Sequence, residues 1–170
     1  HRMDQRIADF CKEAVYGGRQ LITASTVKRD KLYAPEGERL VSLILDPAQA
    51  PLLGELSRPG GTLESMPQLV LAAWELLRFA RWTKGRRSEE PDGRWSAYLI
   101  STYRNQNALM ERLVDFLLEK HGDLLANLRV EANTVDSCQG HEADLVLLSL
   151  VYEDRQTEFM RSLNRMNVAL

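Results

Sequence analysis

Two periods of apolar residues alternate along the chain and predict its elements. Ile7, Phe10, Cys11, Ala14 and Val15 fall at i, i+3, i+4, i+7 and i+8, one stripe of an amphipathic helix that Gly17-Gly18 terminates. A polar stretch through Pro35 and Gly37 gives way to Leu40-Val41-Ser42-Leu43-Ile44-Leu45, closed by Asp46-Pro47. That run is too short for a typical helix and reads as a buried strand. Gly54 to Gly61, ending in Pro59-Gly60-Gly61, is a loop, and beyond it Val70, Ala73, Trp74 and Leu77 share one face of a second helix. After a turn-rich break from Ser88 to Arg94, Ala97-Tyr98-Leu99-Ile100 predicts a strand. A helix follows whose Leu109, Leu113, Phe116 and Leu117 form one face up to His121-Gly122. Leu128, Val130 and Ala132 alternate with Arg129, Glu131 and Asn133, the signature of a half-exposed strand. Leu145 to Val151 is nearly all apolar and reads as a central strand, and a last helix begins near Glu158 or Phe159.

Strands separated by helices, with continuous apolar strands among them, predict an α/β fold: a mostly parallel sheet with helices on both faces, three layers in all. Neither an internal repeat nor a low-complexity tract interrupts the pattern.

Composition narrows the class further. In 170 residues, 22 Lys+Arg stand against 24 Asp+Glu, with 44% hydrophobic residues, and this balance excludes a disordered chain. Two cysteines, Cys11 and Cys138, and three histidines offer neither a disulfide framework nor a metal tetrad, so reduced thiols are expected, Cys11 in the core. No run approaches the ~20 apolar residues of a bilayer span and no signal peptide opens the chain, which points to a cytoplasmic protein with no membrane partner. A net charge of −2 supplies no global field for a polyanion, so any nucleic-acid contact must be local. Arg78, Arg81, Lys84, Arg86 and Arg87 form one basic cluster, for which a helix C-terminus offers the simpler explanation. The chain opens on His1 and stops within the apolar run Met166 to Leu170, so one domain cut at both ends is expected.

In sheets of this class ligands sit beyond the carboxyl ends of the strands. Two segments there carry suitable chemistry. Ser101-Thr102-Tyr103-Arg104-Asn105-Gln106 sets hydroxyls and an amide where a helix begins, so it either holds a phosphate on free helical N–H groups or merely caps the helix. Asn133 to Asp144 packs polar groups around Gly140 and leads into the apolar strand. Gln139 brings a donor and an acceptor there, and Glu142 a carboxylate suited to a sugar hydroxyl.

Taken in order, these segments resemble the second RecA-like domain of superfamily 1 helicases of the Upf1-like/Dna2-like group. Thr134-Val135-Asp136-Ser137-Cys138-Gln139-Gly140-His141-Glu142-Ala143-Asp144 is similar to motif V. Ser101 to Gln106 resembles motif IV, Arg161 to Leu170 the start of motif VI, and His1-Arg2-Met3-Asp4 the YRMHP segment. Departures are Asp4-Gln5 in place of His-Pro, Thr102 in place of Pro and Cys138 in place of an aromatic.

The resemblance implies a RecA-like (P-loop NTPase-like) fold lacking its own P-loop, since no Gly-x4-Gly-Lys-Ser/Thr occurs. It implies ATP and Mg2+ bound mainly by an upstream RecA-like P-loop domain of the same parent chain, a single-stranded nucleic acid as track, and 5′ to 3′ movement. By the same resemblance Arg2 is an arginine finger, a group worth about 10³ to 10⁵ in rate. Gln139 and Gly140 line the nucleotide cleft, Glu142 contacts the ribose, and Ser101, Thr102 and Thr134 touch the nucleic-acid backbone. The rival expectation is a catalytically silent nucleic-acid-binding or protein-docking module that retains the fold. A Rossmann-like small-molecule domain is disfavoured by the lack of a GxGxxG turn.

Overall fold

The computed structural model describes residues 64–138 and 141–151. The predicted helix over Ile7 to Val15, the strand Leu40 to Leu45, the loop Gly54 to Gly61, the last helix, Cys11, Arg2, Gln139 and Gly140 lie outside the described residues.

Helix α1 spans Met66–Thr83, and its start is chemically specified. Ser65 takes the N-cap, its Oγ accepting from the Gln68 amide at 3.4 Å, and a proline occupies the first turn, where its missing N–H costs nothing. Its buried stripe is Leu69, Ala72, Leu76, Phe79, Ala80 and Thr83. The predicted face is displaced from this one: Ala73 and Leu77 pack at its margin, whereas Val70 (39% exposed) and Trp74 (50%) face outward. The segment LVLAAWELL is apolar nearly all round, so two stripes one residue apart overlap in it. Burying Leu76 and Phe79 completely selects the stripe that reaches the sheet.

Strand β1, Trp95–Ser101, is buried along its full length. Helix α2 spans Arg104–Leu125, and strand β2 spans Leu128–Thr134. A 3-10 turn follows at Val135–Ser137, and strand β3 spans Leu145–Ser149. All pairings are parallel, in the order β2-β1-β3, with Trp95 opposite Leu128 and Ala97 opposite Leu145. The result is an open parallel α/β sheet of RecA-like arrangement. Among the described strands the central one is thus β1. The apolar run of β3 arises instead because its alternate residues join two different clusters.

β1 divides those clusters by its pleat. Trp95, Ala97 and Leu99 join the core formed with α1 and α2, together with Leu145 and Leu147 of β3. Tyr98 and Ile100 on the other face pack with Val135, Cys138, Ala143, Leu148 and Leu150. Both described helices therefore cover one face, and the β2–β3 connection covers the other as it crosses β1.

In α2 the buried positions are Gln106, Met110, Val114, Leu117 and Leu125, while Phe116 stands 53% exposed. The predicted end at His121-Gly122 is a kink rather than a terminus, with His121 at φ −135° and ψ 29°. A further turn follows because it returns Leu125 to the core, where it is 1% exposed.

Candidate functional site

The carboxyl ends of β1, β2 and β3 meet the amino ends of α1 and α2, and side-chain amides tie them together. Gln106, fully buried, accepts from the Ser65 amide at 2.7 Å and donates from Nε2 to the Ser65 carbonyl at 3.1 Å. Gln68 Oε1 accepts from Ser149 Oγ at 2.6 Å and from the Val151 amide at 3.0 Å. Val151 there adopts φ 69°, a left-handed conformation that a β-branched residue rarely takes. The chain thus leaves β3 through a strained residue held by a glutamine from α1.

Ser101 is completely buried; its hydroxyl accepts from the Tyr103 amide (3.1 Å) and donates to the Tyr103 carbonyl (3.0 Å). It shapes the β1–α2 turn and does not face solvent. Thr102 is half-buried, with its amide donating to Ser149 O at 3.4 Å and its Oγ1 to Leu150 O at 3.3 Å. The capping alternative raised by the sequence does not describe this turn: the N-cap of α2 is Tyr103, with no side-chain cap bond. The amino end of α2, with the positive end of the helix dipole, therefore lies at the strand ends without a side-chain cap from Tyr103.

Thr134, register partner of Ser101, opens the second segment. Its amide donates to Ser137 Oγ at 3.0 Å, its Oγ1 lies 3.1 Å from that hydroxyl, and Ser137 Oγ donates to the Thr134 carbonyl at 2.8 Å. This reciprocal capping locks the 3-10 turn at the carboxyl end of β2. Cys138 then turns inward, 3% exposed, beside Tyr98, Ile100 and Val135, in the place of an apolar side chain. Burial pushes its thiol above the ordinary value, and Glu131 adds to the shift.

From Cys138 the connection descends along β1. His141 donates its amide to Cys138 O at 3.0 Å and sets its ring edge-on to Tyr98, centroids 6.1 Å apart. Asp144 clamps the far end: its Oδ2 accepts from the Ser96 amide (2.8 Å) and hydroxyl (2.9 Å), while its own amide donates to Ser96 Oγ at 3.0 Å. Glu142, exposed, lies between these two anchors. Its carboxylate is thus carried on a loop pinned at both ends, open to a ligand arriving from solvent.

The structure brings Ser101, Thr102 and Thr134 to the ends of two adjacent strands and sets Glu142 apart from them, on the descending arm. Sequence reasoning missed Ser65, Gln68, Ser149 and the Ser96–Asp144 clamp. A glutamine in the first turn of a helix carries no periodic signal, and a pairing across 48 residues becomes visible only when the sheet is assembled. Among the described residues no three metal-ligating side chains cluster, and no helix is long and apolar enough to cross a membrane.

Comparison with known proteins gives one family match, to a model described as an AAA domain, over residues 1–170. The chain is 24% identical over 192 residues to the DNA replication ATP-dependent helicase/nuclease dna2 of Schizosaccharomyces pombe, covering 100% of this chain and 12% of that protein. It is 26% identical over 178 residues to the DNA polymerase alpha-associated DNA helicase A of Saccharomyces cerevisiae, covering 100% of this chain and 25% of that protein. The chain thus spans a quarter or less of each of these relatives.

Proposed function

This chain belongs to the AAA domain family AAA_12, which occurs in superfamily 1 helicases of the Upf1-like/Dna2-like group, and we propose that it acts as the second motor domain of an ATP-dependent DNA or RNA helicase or translocase. The observation that carries this reading is the placement of the two motif-like segments on adjacent parallel strand ends, within a chain whose whole length matches the family.

In this reading the triphosphate and Mg2+ are held by an upstream P-loop domain, and this chain completes the cleft. Glu142 accepts a hydrogen bond from a ribose hydroxyl, and Gln139 and Gly140 line the nucleotide beside it. Arg2 presents its guanidinium to the γ-phosphate and stabilises the charge that spreads over its oxygens during transfer. The α2 amino end and the hydroxyls of Thr102 and Thr134 position the backbone of a single strand without reading its sequence. Ser101, being buried, serves by fixing the turn that presents Thr102. Movement of the strand follows if the cleft closes with ATP and opens after hydrolysis, because the contacts then differ between two states. The protein would work in the cytoplasm or the nucleus, wherever its track lies.

Arg2→Ala in the full-length protein tests the reading. Strand-stimulated ATPase is expected to fall about 10³- to 10⁵-fold with strand binding retained. Unchanged turnover would favour the silent docking module, and full-length protein without strand-stimulated ATPase would remove the motor altogether.

A further inference from the structure

At the opposite, amino end of the sheet the α1–β1 and α2–β2 turns border an open cavity of about 550 Å³. Lys84, Gly85, Arg86 and Arg87 line one side; Asp123, Leu124, Ala126 and Asn127 line the other. We propose that this cavity, with the exposed side of α1 leading to it, is a second contact for the phosphodiester backbone of a single-stranded nucleic acid.

The competing explanation is that these cations only complement helix C-termini. Three observations count against it. First, carbonyls at the end of α1 already have partners: Asn127 Nδ2 and the Arg86 amide donate to Thr83 O (3.0 and 2.9 Å), the Lys84 amide to Arg81 O (3.3 Å), and Thr83 Oγ1 to Ala80 O (2.9 Å). Second, the charges do not balance. Two helix ends amount to about one negative charge in total. Asp123 is the only carboxylate in the lining, against Lys84, Arg86 and Arg87, so positive charge remains in excess. Arg81, one turn up the helix, adds to that excess. Among the described residues neither Arg81, Lys84 nor Arg87 has an ion-pair partner. Third, one cation is pre-oriented. The Arg86 guanidinium lies 4.6 Å over the Trp82 ring, which is itself wedged against Phe79 and Trp95, so its N–H edge is presented at small entropic cost.

The shape favours a strand over a lone phosphate. Trp74, Arg78 and Arg81 follow one another at i, i+4 and i+7 on one side of α1, with Arg78 4.5 Å over the half-exposed Trp74 ring and 3.4 Å from the buried Glu75 carboxylate. This track of aromatic and cationic groups covers about 10 Å of α1 and leads toward the cavity. An indole for bases alternating with cations for phosphates is the composition by which proteins hold single strands irrespective of sequence. An acidic peptide would use the cations and leave Trp74 idle.

Binding, not turnover, tests the idea, so its outcome is independent of the ATPase experiment above. Fluorescence anisotropy of labelled oligothymidylate or oligouridylate on the full-length protein is measured across a salt series. Lys84→Gln with Arg87→Gln is expected to weaken binding and to lower the slope of log K against log salt by about 1.4, two lost single-strand phosphate contacts. Trp74→Ala is expected to weaken binding with the slope intact. Both sites are exposed, and the single Arg87→Gln variant, with half the slope change, serves if the double variant melts early. An unchanged slope in folded protein overturns the proposal. So does equal competition by polyglutamate or by inorganic pyrophosphate, which would mark an acidic-peptide or small-anion site instead.

Discussion

At the residue scale, two buried groups set testable behaviour. Gln106 has no exposed surface and satisfies both the amide and the carbonyl of Ser65. Gln106→Leu leaves the Ser65 amide without its partner in a part-buried position, while the Ser65 carbonyl keeps the Leu69 amide (3.1 Å), and is expected to destabilise the protein by about 1 to 3 kcal/mol in urea unfolding. Cys138 makes a pH prediction. Its thiol is held above the ordinary value by burial and by Glu131, and Tyr98, in the same cluster, is raised by burial and by the same carboxylate. For such an acid the native state keeps its proton where the unfolded chain has lost it, so the native state binds more protons and stability falls as pH rises. The contribution is fully present below the unfolded thiol pKa, about 8.5, and is lost as pH climbs through the folded value. Thermal midpoints should therefore decline on the alkaline side, and Cys138→Ala should remove the part that begins first. A Cys138→Ala protein with an unaltered alkaline profile would contradict the assignment. Iodoacetamide should label native Cys138 far more slowly than the denatured chain.

At the element scale, legibility depended on how sharply one face was marked. β1 and β2 were readable because β1 is apolar along Ala97 to Ile100 and β2 alternates strictly from Leu128 to Asn133. α1 was readable as a helix but not in its orientation, since LVLAAWELL offers apolar residues on most sides and only the sheet decides between them. The end of α2 was misplaced for a related reason: Gly122 is a local stop signal, and the burial of Leu125 outweighs it. For the site, chain order placed Thr102, Thr134 and Glu142 on turns after strands. The Gln68 and Asp144 anchors were invisible because their partners Ser149 and Ser96 lie 81 and 48 residues away. The orientation of α1 can be checked directly. Leu76→Ala, at a fully buried position, should cost about 2 to 5 kcal/mol. Trp74→Ala, half exposed, should cost under about 1 kcal/mol despite the larger side chain. The opposite ranking would restore the face suggested by Val70 and Trp74.

At the scale of the whole molecule, the proposed nucleotide cleft depends on the descending arm of the β2–β3 connection. Glu142 is exposed between two fixed points, the Cys138–His141 turn and the Ser96–Asp144 clamp, so its carboxylate is displayed without a structural duty that would confound its removal. A ribose hydroxyl donating to a carboxylate is a charge-assisted bond, worth about 1.5 to 3 kcal/mol. Such a bond exists equally in ground and transition states, so its loss raises KM and leaves kcat nearly unchanged. Glu142→Ala in the full-length protein is accordingly expected to raise KM for ATP by about 10- to 100-fold, in contrast to Arg2→Ala, whose loss should fall on kcat. Deoxynucleotides separate a ribose contact from a general electrostatic effect. The unaltered protein should discriminate against either 2′-deoxy-ATP or 3′-deoxy-ATP, and Glu142→Ala should lose that discrimination, because the hydroxyl it would have bound no longer matters. If the unaltered protein treats both analogues as it treats ATP, Glu142 is not at the ribose. If Glu142→Ala loses kcat while KM holds, the carboxylate works closer to the phosphates, or through Arg2, and the orientation of the cleft must be redrawn.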